Sequence, residues 1–149
     1  MKIIAKNKRA YFDYGIEDTL LAGVMLSGPE VKSARSGHVQ LKGSYVQIIG
    51  GELWLVNTHI SAYKFASEQP HEETRSRKLL VTSKQFEELK AAKQNGRHLV
   101  PTAMGAHGRF IKIEIGIGKS KKNTDKRQTI SDRQTSRELN REIKQQQYR

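Results

Sequence analysis

The chain has 149 residues, of which 27 are Lys or Arg and 15 are Asp or Glu, for a formal net charge of +12, and none is cysteine. This length suits one domain with a tail, and the missing cysteine excludes disulfides, thiolate metal sites and thiol catalysis. The sequence shows neither a secretory signal nor the ~18 apolar residues of a membrane span, so we expect a cytoplasmic monomer with no membrane partner. The positive charge favours nucleic acid as the partner over an acidic membrane surface.

The N-terminal part of the chain predicts two strands followed by a short helix. Residues 11–16 and 20–26 are rich in apolar and β-prone types, which favours strands. Residues 27–30 (S-G-P-E) then fit a capping box, in which the serine side chain and Glu30 exchange hydrogen bonds with each other's backbone. The helix that begins there is expected to end at Gly37.

A β-hairpin is predicted around Gly50-Gly51, between the β-rich runs 44–49 and 52–57. Two glycines favour a tight turn because the preferred hairpin turns need positive φ. This turn pairs apolar residues on one face of the two strands: Val46 with Leu55, and Ile48 with Leu53.

A second helix and a second hairpin follow. Residues 82–85 (T-S-K-Q) fit another capping box, and the helix is expected to run through Leu89 and to end at Asn95-Gly96. Strands over 98–104 and 109–117 are then joined by a predicted turn at 105–108, with isoleucine at every second position from 111 to 117. Pro101 indicates a free edge or a bulge in the first of these strands.

These elements predict a mainly β fold with short helices, a small antiparallel OB-like β-barrel of about six strands over residues 1–118. Residues 119–149 form a basic tail with ten Lys or Arg against four Asp or Glu and three large aliphatic residues. Arg133, Arg137 and Arg141 would lie on one stripe of a helix and repel one another. We therefore expect the tail to be disordered when free and helical beside a polyanion.

Residues suited to catalysis or metal binding are scattered. The five histidines lack the i, i+4 spacing with a third ligand that a zinc site on a helix would show, and they lie at His38, His59, His71, His98 and His107. The sequence has no nucleophile elbow, P-loop or dinucleotide fingerprint, and it leaves open only a nucleophile and base that folding brings together. We expect no enzyme activity, no metal and no cofactor.

Basic residues fall in four groups: Asn7-Lys8-Arg9, Lys32 with Arg35, Arg75-Ser76-Arg77-Lys78, and the tail. Lys and Arg neutralise phosphates and release counterions, and Arg also stacks on bases and binds phosphate with two hydrogen bonds. Any one group also fits a solvated surface. Four on one small body favour an RNA-binding protein.

Short motifs occur in an order that resembles one family. They are N-K-R-A (7–10), L-A-G (21–23), G-P-E-V-K-S-A-R-S-G (28–37), S-Y-V (44–46), H-I-S (59–61), R-S-R-K-L-L (75–80) and D-K-R (125–127). This series covers nearly the whole chain and is similar to that of the SsrA-binding proteins, the partners of bacterial tmRNA. The resemblance implies an OB-like barrel that binds the tRNA-like domain of tmRNA and delivers it to stalled ribosomes for trans-translation.

The resemblance also implies which residues make contacts. RNA contacts are expected at Asn7, Lys8, Arg9, Glu30, Lys32, Arg35, Arg75, Arg77 and Lys78. The tail is expected to contact the small-subunit decoding centre and the mRNA channel of the ribosome through Lys119, Lys121, Lys122, Asp125, Lys126, Arg127, Arg133, Arg137 and Arg141. The chain departs from the family pattern at Leu21, where many relatives carry Glu, and at Thr82 and Thr124.

Two other functions fit parts of the sequence. A ribosomal protein or assembly factor would be equally basic, with a barrel and an extended tail, and would stay on ribosomes through high-salt washing. A metal-dependent nuclease or basic toxin would cleave labelled RNA in the presence of Mg²⁺, but such an enzyme needs clustered carboxylates, and those of this chain are scattered.

Overall fold

Antiparallel strands form most of the described chain, which comprises residues 1–62 and 73–121 of a computed structural model. Within these ranges the elements follow in the order β1 (Lys2–Lys6), α1 (Lys8–Asp13), β2 (Tyr14–Val24), α2 (Gly28–Arg35), β3 (Val39–Gln40), β4 (Tyr45–Ile49), β5 (Glu52–Val56), β6 (His59–Ile60), β7 (Arg77–Leu80), α3 (Ser83–Gln94), β8 (His98–His107) and β9 (Phe110–Ser120). The predicted mainly β class with short helices is confirmed.

The main sheet has seven strands in the order β1-β8-β9-β2-β7-β5-β4, and β3 pairs with β6 in a separate two-stranded sheet. The sheet curls so that β4 packs near β8. No ladder joins the end strands β1 and β4 among the described residues, so the sheet is not closed into the barrel that the sequence predicted. Where β1 ends, the carbonyls of Pro101 and Thr102 in β8 accept hydrogen bonds from Asn7 and not from a further strand. Pro101 also has no N–H with which to pair to another strand.

The hairpin of β4 and β5 has the predicted register, with Val46 opposite Leu55 and Ile48 opposite Leu53. Its turn has φ of 58° at Gly50 and 77° at Gly51, the left-handed conformation that glycine adopts at little cost. The glycine pair thus sets which face of both strands is buried.

Both predicted helices are confirmed, together with their caps. Ser27 Oγ accepts from the backbone of Glu30 while Glu30 Oε1 accepts from the backbone of Ser27. The corresponding exchange at α3 joins Thr82 and Gln85. Each helix is followed closely by a glycine with positive φ: Gly37 at 84° and Gly96 at 80°.

Two predictions about the strands were wrong. Residues 11–13 belong to helix α1, and a single strand runs from Tyr14 to Val24 in place of two. The predicted turn at 105–108 is mostly strand, because β1 pairs with β8 through Ala106 and the chain reverses only at Gly108. The bulge that Pro101 indicated is confirmed by a register shift between Pro101 and Ala103.

The hydrophobic core lies inside the curl of the main sheet. Isoleucines 111, 113 and 115 of β9 point into it, while Ile117 is partly buried at its edge. Ala34 of α2 and Leu89 of α3, both fully buried, close it from the helices. Burial of a large aliphatic side chain such as Leu89 contributes roughly 1.5–3 kcal/mol, which holds α3 on the sheet, while Ala34 lets α2 pack closely.

Candidate RNA-binding surface

A buried ion-pair cluster, here called the Glu30 cluster, joins α2 to β7 and the segment before it. Glu30 Oε2 accepts from Arg77 Nε at 2.7 Å, and Glu30 Oε1 accepts from Arg75 Nη2. The side chains of Glu30 and Arg77 have no exposed surface, whereas that of Arg75 is 36% exposed. The cluster therefore holds one partly exposed guanidinium over two buried groups.

The other two nitrogens of the Arg77 guanidinium each donate to a backbone carbonyl within the fold. Its Nη1 donates to the carbonyl of Thr58 at 2.7 Å, and its Nη2 donates to the carbonyl of Glu73 at 3.0 Å. A guanidinium carries five donors in a rigid fork, and a buried charge is tolerated only when it is paired and hydrogen-bonded. Arg77 is thus a structural link between β7, the segment that precedes it and α2.

The Glu30 carboxyl has a pKa lowered from 4.5 to about 2. Burial alone would raise this pKa, but hydrogen bonds from Arg75, the backbone N–H of Ser27 and Arg77 outweigh burial because they favour the ionised form. Burial also lowers the pKa of Arg77, against the opposing effect of Glu30. The pair is therefore ionised at neutral pH.

Helix α2 places its two basic residues on the outside of the body. Arg35 is exposed, and its Nη2 donates to the carbonyl of Gly108 at 2.9 Å, at the turn between β8 and β9. Lys32, one helical turn earlier, is exposed as well. Lys32 and Arg35 thus lie on one helix, whose first turn the Glu30 cluster ties to β7.

Asn7 sits at the junction of β1 and α1 and is nearly buried. Its backbone N–H donates to the carbonyl of Thr102 and its Nδ2 to that of Pro101, both at 2.8 Å. Its Oδ1 is buried and has no hydrogen-bond partner among the described residues. A hollow of about 150 Å³ adjoins Asn7, and Tyr45 is among its lining residues. Asn7 thus lines the hollow and carries a buried acceptor that no described residue satisfies.

The two basic residues after Asn7 are exposed. Arg9 Nε donates to Asp13 Oδ2 at 3.0 Å, and the Arg9 guanidinium lies 4.9 Å from the centre of the Phe12 ring. Lys8 is the first residue of α1. Helix α1, which carries both cations, was not predicted.

Of the nine predicted RNA contacts, four are exposed in the structure, namely Lys8, Arg9, Lys32 and Arg35, and two are half-buried, namely Arg75 and Lys78. Lys78 Nζ lies 3.2 Å from Glu52 Oε1. Direct contact with a ligand is not available to Glu30 and Arg77, because both side chains are fully enclosed. In the described structure neither side chain is exposed for the RNA contact that the sequence predicted.

Strand β9 continues to Ser120, two residues past the predicted end of the body, so that Lys119 and Ser120 pair with Gly15 and Tyr14. Lys121 then binds α1, donating from its backbone N to the carbonyl of Asp13 at 2.8 Å and from Nζ to that of Tyr11 at 2.9 Å. The other predicted ribosome contacts lie outside the described residues: Lys122, Asp125, Lys126, Arg127, Arg133, Arg137 and Arg141.

The departures from the family pattern fall at different kinds of position. Leu21 is exposed on β2, directly opposite Glu114 of β9. Thr82 is the N-cap of α3. Thr124 lies outside the described residues, as does His71.

Several exposed apolar residues were not singled out from the sequence, among them Met25, Leu80 and Phe110. Composition alone does not separate them from core residues of the same types. Within residues 1–62 and 73–121, no group of three or more His, Asp or Glu side chains is placed to hold a metal ion. No helix in the described part of the chain is both long and apolar enough to cross a membrane.

Comparison with known proteins points to one family. The model of the SmpB protein family matches residues 4–145. The SsrA-binding protein of Lysinibacillus sphaericus is 44% identical over 144 residues, covering 96% of this chain and 93% of the relative. That of Paracoccus denitrificans is 47% identical over 146 residues, covering 97% and 94%. A solved structure described as "tmRNA-SmpB: a journey to the center of the bacterial ribosome" is 36% identical, with a TM-score of 0.66, over 80% of this chain and 85% of the other.

Proposed function

This chain belongs to the SmpB family, and we propose that it binds the tRNA-like domain of tmRNA and delivers it to stalled ribosomes for trans-translation. The family match over residues 4–145 carries the proposal. The structure supports it through Arg75, which Glu30 binds directly, and Arg35, which lies on the same helix as Glu30 and binds the carbonyl of Gly108. The protein acts by binding, not by catalysis, and it works in the cytoplasm, where its RNA and ribosome partners are.

Phosphate contacts supply the affinity of the body for tmRNA. Lys8, Arg9, Lys32, Arg35, Arg75 and Lys78 are the cations at or near the surface that carry it. Each phosphate that is neutralised releases counterions, which makes the affinity fall steeply with salt. The hollow that Asn7 lines, with Arg9 beside it, is a further place where this surface can hold RNA.

Glu30 and Arg77 are positioning residues for this surface. The two oxygens of one carboxylate hold Arg75 and Arg77, while the backbone of Ser27 ties the same carboxylate to the first turn of α2. A shift of α2 relative to β7 would move Arg35 and Arg75 apart. The buried pair thus sets the spacing of two phosphate contacts without touching RNA.

In this proposal residues 1–118 form an OB-like domain that binds tmRNA, built on the curled main sheet, and residues 119–149 form a tail. The near approach of β4 to β8 supports the likeness to an OB barrel, although the ladder is open. The tail, through the basic residues from Lys119 to Arg141, enters the mRNA channel near the decoding centre and becomes helical there. The tail has ten Lys or Arg against four Asp or Glu, and this positive charge supports binding at a site lined by RNA.

Titration of the full chain against the organism's own tmRNA, with an elongator tRNA as competitor and at near-physiological salt, tests the proposal. Binding to tmRNA that tRNA does not displace is the expected result. Equal and weak binding to both RNAs would contradict it and would favour a ribosomal protein or assembly factor. In that case the chain would also remain on purified ribosomes through high-salt washing.

A further inference from the structure

A groove between the main sheet and α2 has no role in the contacts described so far. It has a volume of about 540 Å³ and lies between the end of β2, the end of β7 and the start of β9. Its lining includes three strongly exposed apolar side chains, Met25 at 51%, Leu80 at 50% and Phe110 at 69%. We refer to it as the Phe110 groove.

Gly23 makes the groove concave. It pairs with Leu80 on one side and with Lys112 on the other, so the three lie in a row across β7, β2 and β9. A Cβ at position 23 would lie 3.4 Å from the Leu80 Cβ, which is close contact. Because Gly23 has no side chain, the groove is open between the apolar Leu80 on one side and the basic Lys112 on the other.

The charges of the groove are all positive. Arg109 and Lys112 are its only charged lining residues within the described chain. The guanidinium of Arg35 approaches the same hairpin, at the carbonyl of Gly108. An exposed aromatic ring flanked by cations is the arrangement that binds an unpaired nucleotide, because the ring stacks on the base and the cations neutralise the phosphate.

We propose that the Phe110 groove holds an unpaired nucleotide of the RNA partner, with its base against Phe110 and Leu80 and its phosphate at Arg109 and Lys112. This inference rests on the proposed function, since it assigns part of the same RNA to a second surface. An apolar protein segment would fit the ring and Leu80 but would leave the two cations without partners. The charge balance therefore favours RNA.

The test uses the full chain and a transcript of the tRNA-like domain of the organism's own tmRNA. Phe110→Ala should weaken binding about tenfold, since stacking of a base on an aromatic ring contributes ~1–3 kcal/mol. Ile49→Ala is the matched control, because Ile49 is 52% exposed and lies on β4, the edge strand beyond β5 and β7. It should change the affinity less than twofold.

Three further measurements separate stacking from charge. Phe110→Trp should restore the affinity, and its added fluorescence should be quenched when the transcript binds. Arg109→Gln and Lys112→Gln should each lower the slope of log affinity against log salt by about one. Phe110→Ala should leave that slope unchanged. The exposure of Phe110 makes a folding defect in these variants unexpected, and circular dichroism checks this.

The outcomes distinguish the two proposals. If the wild-type chain prefers the transcript over tRNA but Phe110→Ala binds as well as Ile49→Ala, the groove does not bind RNA and the proposed function stands. An apolar protein occupant would give this same result. If the wild-type chain shows no preference for the transcript, the proposed function fails and the assignment of the groove fails with it.

Discussion

Arg77 and Glu30 are 47 residues apart in the sequence, yet Arg77 Nε donates to Glu30 Oε2 at 2.7 Å and neither side chain is exposed. The contact joins β7 to the first turn of α2. Through it, cations that lie far apart in the chain take up a fixed spacing at the surface.

Removal of the charge at position 30 should destabilise the protein strongly. Glu30→Gln leaves Arg77 buried without a counter-charge, and loss of one partner of a buried pair costs about 3–5 kcal/mol. Urea unfolding measures the loss. Glu17→Gln is the control, because Glu17 pairs at 3.1 Å with Arg97 at the surface, where a pair contributes about 0–1 kcal/mol. Equal effects of the two substitutions would show that the cluster does not hold α2.

Acid should weaken the fold over a defined range of pH. The Glu30 pKa is lowered from 4.5 to about 2, so its contribution is fully present above about 4.5 and is lost as the pH falls toward 2. The shift corresponds to a loss on the order of 3 kcal/mol. Thermal unfolding of wild type and Glu30→Gln between pH 6 and pH 2 should show their stabilities converging. A constant difference across that range would contradict the assignment.

Two arginines of the predicted RNA-binding set should behave differently. Arg35→Gln removes an exposed cation and should weaken tmRNA binding, lowering the salt slope by about one, with little change in stability. Arg77→Gln should act first on stability, because Arg77 is enclosed. Filter binding and urea unfolding of both variants, with Arg97→Gln as the control, measure this. A stable Arg77→Gln protein with a lowered salt slope would show direct contact instead.

Truncation should separate the function of the body from that of the tail if the cut leaves strand β9 intact. Ending the chain after Lys121 keeps the pairs of Lys119 and Ser120 with β2 and the two bonds of Lys121 to α1. We expect this variant to bind tmRNA nearly as well as the full chain and to abolish tagging on stalled ribosomes. Ending the chain after Gly118 should also lower stability. Loss of tmRNA binding in the variant that ends at Lys121 would show that the tail contributes to that step.

The tail itself should gain structure only beside RNA. A peptide of residues 119–149 is expected to show little helix by circular dichroism, since Arg133, Arg137 and Arg141 repel one another along one face. Addition of ribosomal RNA fragments should increase the helical signal. A stable helix in the peptide alone would contradict this expectation.

Local signals in the sequence were sufficient for several elements. The glycine pair at 50–51 set the hairpin register, since positive φ is a property of those residues themselves. The capping boxes at Ser27 and Thr82 set the starts of two helices, because each involves residues only three positions apart. The excess of Lys and Arg predicted an RNA-binding protein, and the order of the motifs indicated the family, both without a structure.

Tertiary structure alone decided which of these residues reach the surface. Glu30 and Arg77 had the pattern of exposed charges, but a pairing over 47 positions encloses them. Phe110 had the pattern of a strand residue, yet it lies next to the turn of the hairpin of β8 and β9 and is 69% exposed. The turn predicted at 105–108 became strand because β1, about a hundred residues earlier, pairs with it. The sequence by itself determined the helix caps, the first hairpin and the charge, which depend on near neighbours, whereas burial depends on contacts between distant segments that no local pattern records.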